Sequence, residues 1–460
     1  MEKKQQHNKF RILMFPWLAH GHVFPYLQLA KALSTRNFHL YLCSTPINLN
    51  SIKQDDDHHD LVNSIEFIEL QLPSSPEFPP HYHTTKNVPP HLMPKLLEAL
   101  GKSRSSFSTN VASLMPDLLI FDVFQPWAAA VASSLGVPAV HFATSGATVY
   151  SFMYHRLLHG EEPPFPYHEA IFQHEHEWKA IRAMGLRDKM DQGTLFPHFS
   201  LSCDIVLMRT CREIEGKYID YLSELCNKKV IPVGPLVAQS NTEENDKQIM
   251  EWLGEKPPFS TVFISFGSEN YLSKDQMEEI AKGLESCEVN FIWTLRFPPG
   301  EKVSLDETLS EGFLDRVKER GMIVQGWAPQ AKILAHPSMG GFVSHCGLSS
   351  IIESIYFGVP VIGIPLKLDQ PLNARLVVDT GVGIEVKRDG DGHFTGKDVA
   401  DALRKTIMEK TGEDMRLSCA ELSKKMKSKE DDAANEAAEE LKTLCTKHRL
   451  QKRNQNVSSS

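Results

Sequence analysis

The sequence lacks the marks of a membrane-spanning or secreted protein. Its polar start, MEKKQQHNKF, contains no apolar signal core, and no later segment of the 460 residues holds about 18 uncharged apolar residues in a row. We therefore expect a cytoplasmic protein without an integral membrane segment. No CxxC pair occurs, and scattered cysteines of this kind predict free thiols in a reducing compartment. The eight are Cys43, Cys203, Cys211, Cys226, Cys287, Cys346, Cys419 and Cys445.

The motifs of several ligand classes are also missing. There is no GxGxxG fingerprint and no Walker loop, which disfavours a dinucleotide-dependent epimerase or dehydrogenase and a P-loop protein. The net charge of −9 argues against nucleic acid as a partner, because phosphate binding needs concentrated positive charge. The 41% hydrophobic and 23% charged residues are ordinary for a soluble globular enzyme, and the length predicts two domains.

Short apolar runs alternate with amphipathic helical segments along most of the chain. This alternation predicts parallel sheets with helices on both faces, and two such series predict two doubly wound α/β domains. In the first half the predicted strands are Arg11–Phe15, Phe38–Cys43, Ile65–Leu70, Asp117–Phe121, Pro138–Phe142 and Asp204–Met208. In the second half they are Thr261–Phe266, Asn290–Leu295, Met322–Gln325, Gly340–Ser344, Val359–Ile364 and Gly381–Glu385.

Irregular polar segments set the expected domain boundaries. A polar stretch without apolar periodicity follows Val233-Gly-Pro235 and is interpreted as an interdomain linker. The segment Gly160–Pro197, rich in proline, histidine and charge, is interpreted as an excursion of the N-terminal domain. The last residues are polar and basic, which is typical of a disordered tail. The expected division is an N-terminal domain over 1–236, a linker over 237–255, a C-terminal domain over 256–445 with its last helix packing back on the first domain, and a tail over 446–460.

Two histidines follow the first predicted strand, in the segment Pro16–Pro25. His20 and His22 stand where open α/β sheets bind ligands, at the carboxyl end of a strand, and a neutral imidazole there can act as a general base. Such a base needs an orienting carboxylate, and Asp122 follows another predicted parallel strand. The alternatives are a structural histidine and an aspartate that only caps the next helix.

The second half contains a candidate anion site. Phe263–Ser268 is a buried strand that ends in a Gly-Ser turn, and Gly341–Ser350 is a strand that runs through a glycine-bearing turn into the predicted helix Ser349–Phe357. A helix start offers unpaired N–H groups and a positive dipole end, which suit a phosphate, although an ordinary βα turn would look similar. The histidine-rich clusters Asp55–Asp60 and His174–His176 lie in polar segments and are interpreted as solvated loops, so no metal site is expected.

The 44-residue run Trp327–Gln370 resembles the signature box of the plant family-1 UDP-dependent glycosyltransferases. The resemblance extends over nearly the whole chain, through the histidine segment, Asp122 with the following Gln-Pro-Trp127, Val233-Gly-Pro235 and Ser265–Ser268. The segments Trp17–Leu42 and Leu72–Pro94 are similar to the branch that adds a sugar to a sugar already present on a small molecule.

The resemblance implies a GT-B fold, two Rossmann-like domains facing across a cleft, with the acceptor on the N-terminal side and the UDP-sugar on the C-terminal side. It implies that His22 is the general base and that Asp122 orients it. It assigns the uracil stack to Trp327, a ribose or uracil contact to Gln330, the α-phosphate to His345, the diphosphate to Ser268 and Ser350, the ribose hydroxyls to Glu353, and the sugar hydroxyls to Asp369 and Gln370. Thr144 is expected near the transferred sugar, and Ala328, Gly347 and Ser349 complete the UDP-sugar-binding set.

One pair departs from the family pattern: Leu348-Ser349 stands where the family usually has Trp-Asn, which leaves the donor less defined. The expected function is inverting transfer of glucose from UDP-glucose to a hydroxyl of a triterpenoid or flavonoid glycoside, onto an existing sugar. No DxD-like metal pair stands in a suitable place, so no cofactor or metal is expected, and the protein is expected to be a monomer. The alternatives are a non-catalytic GT-B relative that binds a nucleotide sugar or a glycoside, a transferase with another donor, and a GT-B phosphorylase, for which no lysine-cofactor pocket is evident.

Overall fold

The computed structural model describes residues 9–53, 64–169, 171–178, 198–237, 246–268, 270–297 and 308–458. The chain forms two compact units. The first comprises Met1–Ala147, Phe196–Leu236 and Lys429–Ser460, and the second comprises Thr148–Leu195 and Val237–Ser428. The histidine-rich cluster Asp55–Asp60 and the linker residues 238–245 lie outside the described residues.

The first unit is built on a parallel sheet of seven strands in the order β3-β2-β1-β4-β5-β6-β7. Alternate residues of the central strand enter different cores, as the two-residue period of a strand requires. Ile12 and Met14 lie in one hydrophobic cluster and Leu13 and Phe15 in the other, so both faces of the sheet are covered. The strands are β1 Phe10–Phe15, β2 Phe38–Ser44, β3 Ile65–Glu69, β4 Leu118–Phe121, β5 Ala139–Ala143, β6 Ile205–Met208 and β7 Lys229–Pro232.

Helices connect these strands. They are α1 His20–Ser34, α2 Pro46–Lys53, α3 Met93–Lys102, α4 Arg104–Leu114, α5 Pro126–Ser134, α6 Ala147–His159, α7 His198–Leu201 and α8 Arg212–Cys226, with 3₁₀ turns at Pro80–Tyr82 and Pro90–Leu92. Of these, α6 groups with the second unit from Thr148 onwards. The last part of the C-terminal helix also belongs to this unit, where Ala437, Leu441 and Leu444 enter the same hydrophobic cluster as Ile12.

The second unit contains a parallel sheet of six strands in the order β10-β9-β8-β11-β12-β13. Its strands are β8 Thr261–Ser265, β9 Asn290–Leu295, β10 Gly321–Gln325, β11 Met339–Ser344, β12 Val361–Gly363 and β13 Gly383–Glu385. Its helices are α9 Lys247–Gly254, α10 Lys274–Glu285, α11 Phe313–Val317, α12 Gln330–Ala335, α13 Leu348–Tyr356, α14 Gln370–Asp379, α15 Gly396–Ile407 and the first part of α16 Lys410–Ser458.

All twelve strands expected from the sequence are present, and β7 is an additional one. Four further features differ from the expectation. The first helix begins at His20, so His20 and His22 lie in its first turn and not in a loop before it. Pro25 lies inside this helix, where its ring nitrogen cannot donate a backbone hydrogen bond.

The other differences concern the domain boundaries. Residues 247–254, expected to be irregular linker, form a helix because Ile249 and Leu253 are buried in a hydrophobic cluster of the second unit. The segment Thr148–Leu195 groups with the second unit, where the Glu177 carboxylate lies 2.6 Å from the Arg375 guanidinium.

The expectation of a disordered tail from residue 446 is wrong as far as Ser458, because the C-terminal helix continues to that residue. Arg449 anchors it by pairing with Asp117 at 2.6 Å, and Lys447 pairs with Asp204 at 2.7 Å. The eight cysteines are free, as expected. Within the described ranges, none of the helices combines the length and the apolar character that crossing a membrane requires.

Candidate active site

A histidine–aspartate pair lies at the carboxyl edge of the first sheet, at the adjacent ends of β1 and β4. The His22 Nδ1 atom lies 2.8 Å from the Asp122 Oδ2 atom and 3.1 Å from the Thr144 hydroxyl. Asp122 is fully buried, whereas one fifth of the His22 side chain is exposed. Because a carboxylate only accepts hydrogen bonds, Nδ1 carries the proton and donates a hydrogen bond to Asp122. Nε2 therefore has the lone pair and can accept a proton.

Neighbouring groups hold the pair in place. The other carboxylate oxygen of Asp122 accepts a hydrogen bond from the Phe124 backbone N–H at 3.3 Å. The Phe124 ring meets the His22 imidazole edge-on at 5.5 Å between centroids, and nearly half of its side chain is exposed. Phe124 was not predicted from the sequence, since an aromatic residue after a strand carries no distinguishing signal. The structure thus brings together His22, Asp122 and Thr144, while the His20 side chain is exposed and stacks on Phe24.

The candidate anion site lies at the carboxyl ends of three neighbouring strands in the middle of the second sheet. β8, β11 and β12 are adjacent and in register, with Ser265 beside Ser344 and Ser344 beside Gly363. Ser268 follows β8, His345 follows β11, and Asp369 and Gln370 follow β12. This common edge is where open α/β sheets bind their ligands.

His345 sits in a tight slot between two glycines. A Cβ atom added at Gly267 would lie 2.8 Å from the imidazole Cε1 atom, and one at Gly347 would lie 2.5 Å from Nε2, so any side chain there would displace the ring. Gly267 also has a φ of +75°, which favours glycine. Burial, with the positive charge of Lys367 nearby, lowers the pKa of His345 to about 4, so the ring is neutral near pH 7. Its Nδ1 atom is buried and has no hydrogen-bond partner among the described residues.

The start of α13 adds backbone N–H groups to this site. Its N-cap residue is Gly347, which has no side chain to cap the helix, and the first backbone N–H groups of a helix have no partner within it. Ser349 is half-buried and Ser350 is buried at this end. A helix start with open N–H groups and a positive dipole end binds anions. Leu348 is buried too, with 5% of its surface exposed.

Two further pairs of predicted residues are in contact. The Gln330 side-chain amide donates to the Glu353 carboxylate at 2.7 Å. This hydrogen bond links the start of α12 to the middle of α13. The side-chain carbonyl oxygen of Gln370 accepts hydrogen bonds from the backbone N–H groups of Leu366 and Lys367, both at 2.9 Å. The side-chain NH₂ group of Gln370 is therefore the part that can meet a ligand. Trp327 is 69% exposed, whereas the adjacent Ala328 is buried.

Comparisons with known proteins identify relatives along the whole chain. A family model described as UDP-glucoronosyl and UDP-glucosyl transferase matches residues 237–431, and one described as glycosyltransferase, N-terminal domain, matches residues 8–238. Mogroside IIIx synthase of Siraitia grosvenorii is 49% identical over 96% of this chain and 95% of its own length. Beta-D-glucosyl crocetin beta-1,6-glucosyltransferase of Gardenia jasminoides is 47% identical over 94% of this chain and 98% of its own length.

The fold has solved counterparts. A glycosyltransferase of Siraitia grosvenorii, solved in complex with UDP, superposes with a TM-score of 0.76 at 26% identity, covering 94% of this chain and 99% of the other. The GT-B fold expected from the sequence, with two Rossmann-like units, is confirmed.

Proposed function

The chain belongs to the UDP-dependent glycosyltransferase family, and from this premise we propose that it transfers glucose, with inversion, from UDP-glucose to a hydroxyl of a small-molecule plant glycoside. The observation that carries the catalytic part is the 2.8 Å contact between His22 Nδ1 and the buried Asp122 carboxylate, which leaves Nε2 able to accept a proton. The name of the Gardenia jasminoides relative states transfer of glucose to a glucosylated molecule, which supports a sugar hydroxyl as the acceptor.

In the proposed reaction, His22 Nε2 takes the proton of the acceptor hydroxyl while that oxygen attacks the anomeric carbon. The bond from the anomeric carbon to the diphosphate oxygen breaks, and UDP leaves from the opposite face. Asp122 holds the tautomer and stabilises the imidazolium that forms. A positioned base of this kind contributes about 10²- to 10⁴-fold in rate.

The leaving diphosphate gains negative charge, and we assign its stabilisation to His345, Ser268 and the start of α13. Because its pKa is lowered to about 4, His345 acts as a neutral hydrogen-bond donor and not as a counter-ion. Donors already fixed before the reaction stabilise charge without a cost of reorganisation, which is often the largest contribution to catalysis. We assign the uracil ring to Trp327 and Ala328, the ribose to Gln330 and Glu353, and the sugar hydroxyls to Asp369 and Gln370.

A product screen tests this function. The purified protein is incubated with UDP-glucose and a panel of triterpenoid and flavonoid glycosides, each paired with its aglycone, and products are identified by mass spectrometry. We expect one added hexose on glycosides and little product from the aglycones. UDP-glucose that binds without any product would instead favour a non-catalytic relative, the second candidate.

The departure at Leu348-Ser349 yields a prediction about the donor. Ser349→Asn should lower the KM for UDP-glucose about 2- to 10-fold, because the longer amide can donate an additional hydrogen bond to a phosphate oxygen, worth roughly 0.5–1.5 kcal/mol. Steady-state kinetics with UDP-glucose and other UDP-sugars measure this. The companion variant Leu348→Trp must fit an indole into a buried position, so we expect altered donor selectivity and a lower Tm. KM values equal to those of the wild type for every donor, in both variants, would show that the departure is neutral.

A further inference from the structure

One polar side chain beside the candidate anion site has no role in the function proposed above. Asn373 lies in the first turns of α14 and is completely buried. Its backbone N–H donates to the Asp369 carbonyl at 3.1 Å, as the helix requires. A buried amide is costly unless its hydrogen bonds are made, so its partners indicate what it does.

The side-chain NH₂ group of Asn373 joins two parts of the site. It donates to the Cys346 carbonyl oxygen at 3.1 Å and to the Asp369 Oδ2 atom at 3.2 Å. A carbonyl and a carboxylate only accept, so the amide must present its nitrogen to both, and this fixes its orientation. Its own oxygen has no hydrogen-bond partner among the described residues.

The first of these partners belongs to the turn that presents His345. Cys346 follows His345 directly, is fully buried and has a φ of +62°, a left-handed conformation that costs a non-glycine residue about 1–3 kcal/mol. Its backbone N–H donates to the Ser344 hydroxyl at 3.2 Å, and its carbonyl accepts from Asn373. Asn373 thus holds the carbonyl side of a strained turn.

The second partner is the carboxylate proposed to bind the sugar. Asp369 precedes α14 as its N-cap residue, and its side chain makes no capping hydrogen bond to the helix. The contact from Asn373 restrains one of its two oxygens and therefore the plane of the carboxylate. A ligand-binding group of this kind needs such support to keep its geometry.

We propose that Asn373 is a positioning residue that ties the diphosphate-binding turn at His345–Gly347 to the sugar-binding Asp369. A single amide then sets the separation between the groups that hold the diphosphate and the sugar of the donor. This proposal rests on the proposed function, since it assumes that the donor is a UDP-sugar bound at these residues.

The first test compares Asn373→Ala with a matched control, Thr406→Val. Thr406 is also fully buried and its hydroxyl donates to the Ala402 carbonyl at 2.9 Å, but its methyl group faces Gly341, near the beginning of β11, and not the turn at His345. We expect Asn373→Ala to raise the Kd for UDP-glucose about 10- to 100-fold, because a hydrogen bond to a charged group is lost. The Kd for UDP should rise less. Thr406→Val should lower the Tm and leave both Kd values unchanged. Equal UDP-glucose affinity in Asn373→Ala and the wild type would overturn the proposal.

A double-mutant cycle separates the two contacts. In an Asp369→Ala background, Asn373→Ala should raise the Kd for UDP-glucose far less than in the wild type, since one partner is already gone, and its effect on UDP should persist through the Cys346 turn. Independent, multiplying effects on UDP-glucose would contradict a link to Asp369.

A near-isosteric variant carries the test if Asn373→Ala does not fold. Asn373→Asp places a carboxylate against a carbonyl oxygen and the Asp369 carboxylate, so one shared proton should be taken up well above the usual carboxyl pKa. UDP-glucose affinity should be poor at about pH 8 and recover towards about pH 5.5, as protonation restores a donor. The wild type should show no such recovery, and a variant without it would also overturn the proposal. The readouts that decide the proposal are all dissociation constants for UDP-glucose and UDP. Intact UDP-glucose binding without transfer by the wild type would thus count against the proposed function and not against Asn373.

Discussion

His22→Ala is expected to lower the kcat for glucose transfer by about 10³-fold or more while the Kd for UDP stays unchanged. The variant loses the group that takes the proton from the acceptor hydroxyl in the proposed reaction, and general bases contribute about 10²- to 10⁴-fold. His22 belongs to the first unit, whereas the groups assigned to UDP belong to the second, so donor binding should survive. Single-turnover transfer measures the first quantity and calorimetric titration with UDP the second.

His20→Ala is the matched control. His20 lies in the same helical turn, but its side chain is exposed and stacks on Phe24. Its removal should change the kcat much less. The assignment of the base would be reversed if His20→Ala were the inactive variant and His22→Ala kept most of its turnover.

The second large effect is expected at His345. His345→Ala should lower the kcat about 10²- to 10³-fold, the range found when one preorganised donor to a developing negative charge is removed. The buried slot between Gly267 and Gly347 exists to hold this ring, and its Nδ1 atom is left without a partner in the described protein. The Kd for UDP should rise as well, because the diphosphate is present in the ground state.

His336→Ala provides the comparison at the other end of the same strand. His336 precedes β11, while His345 follows it, and its ring contacts Ser338 at 2.8 Å. This variant should keep the UDP affinity and the kcat of the wild type. An unchanged kcat in His345→Ala would show that the imidazole does not stabilise the leaving diphosphate.

The sequence predicts the parallel architecture well because each central strand is an apolar run long enough to stand out between helices. β7 was not predicted because Lys229–Pro232 has only four residues, begins with a lysine and ends with a proline. The C-terminal helix was expected to end early because polar composition indicates no core. Its last part is held by ion pairs, Arg449 with Asp117 and Lys447 with Asp204, that no periodicity reveals.

The candidate site divides in the same way. The approach of His22 to Asp122 could be predicted because the carboxyl ends of parallel strands share one edge. The role proposed for Asn373 could not be predicted, since a single asparagine within a helix has no pattern that distinguishes it from a surface residue. Its role depends on the left-handed conformation of Cys346, and a cysteine gives no sequence signal for such a conformation, unlike a glycine.

The proposed reaction is a single displacement: one imidazole takes a proton, one hydroxyl attacks, and one diphosphate leaves from the opposite face. The most direct test is the anomeric configuration of the product formed from UDP-α-glucose, read by nuclear magnetic resonance together with the amount of UDP released. The account predicts a β-linked glucoside and one UDP for each glucose transferred. An α-linked product, or UDP released without a glucoside, would contradict it.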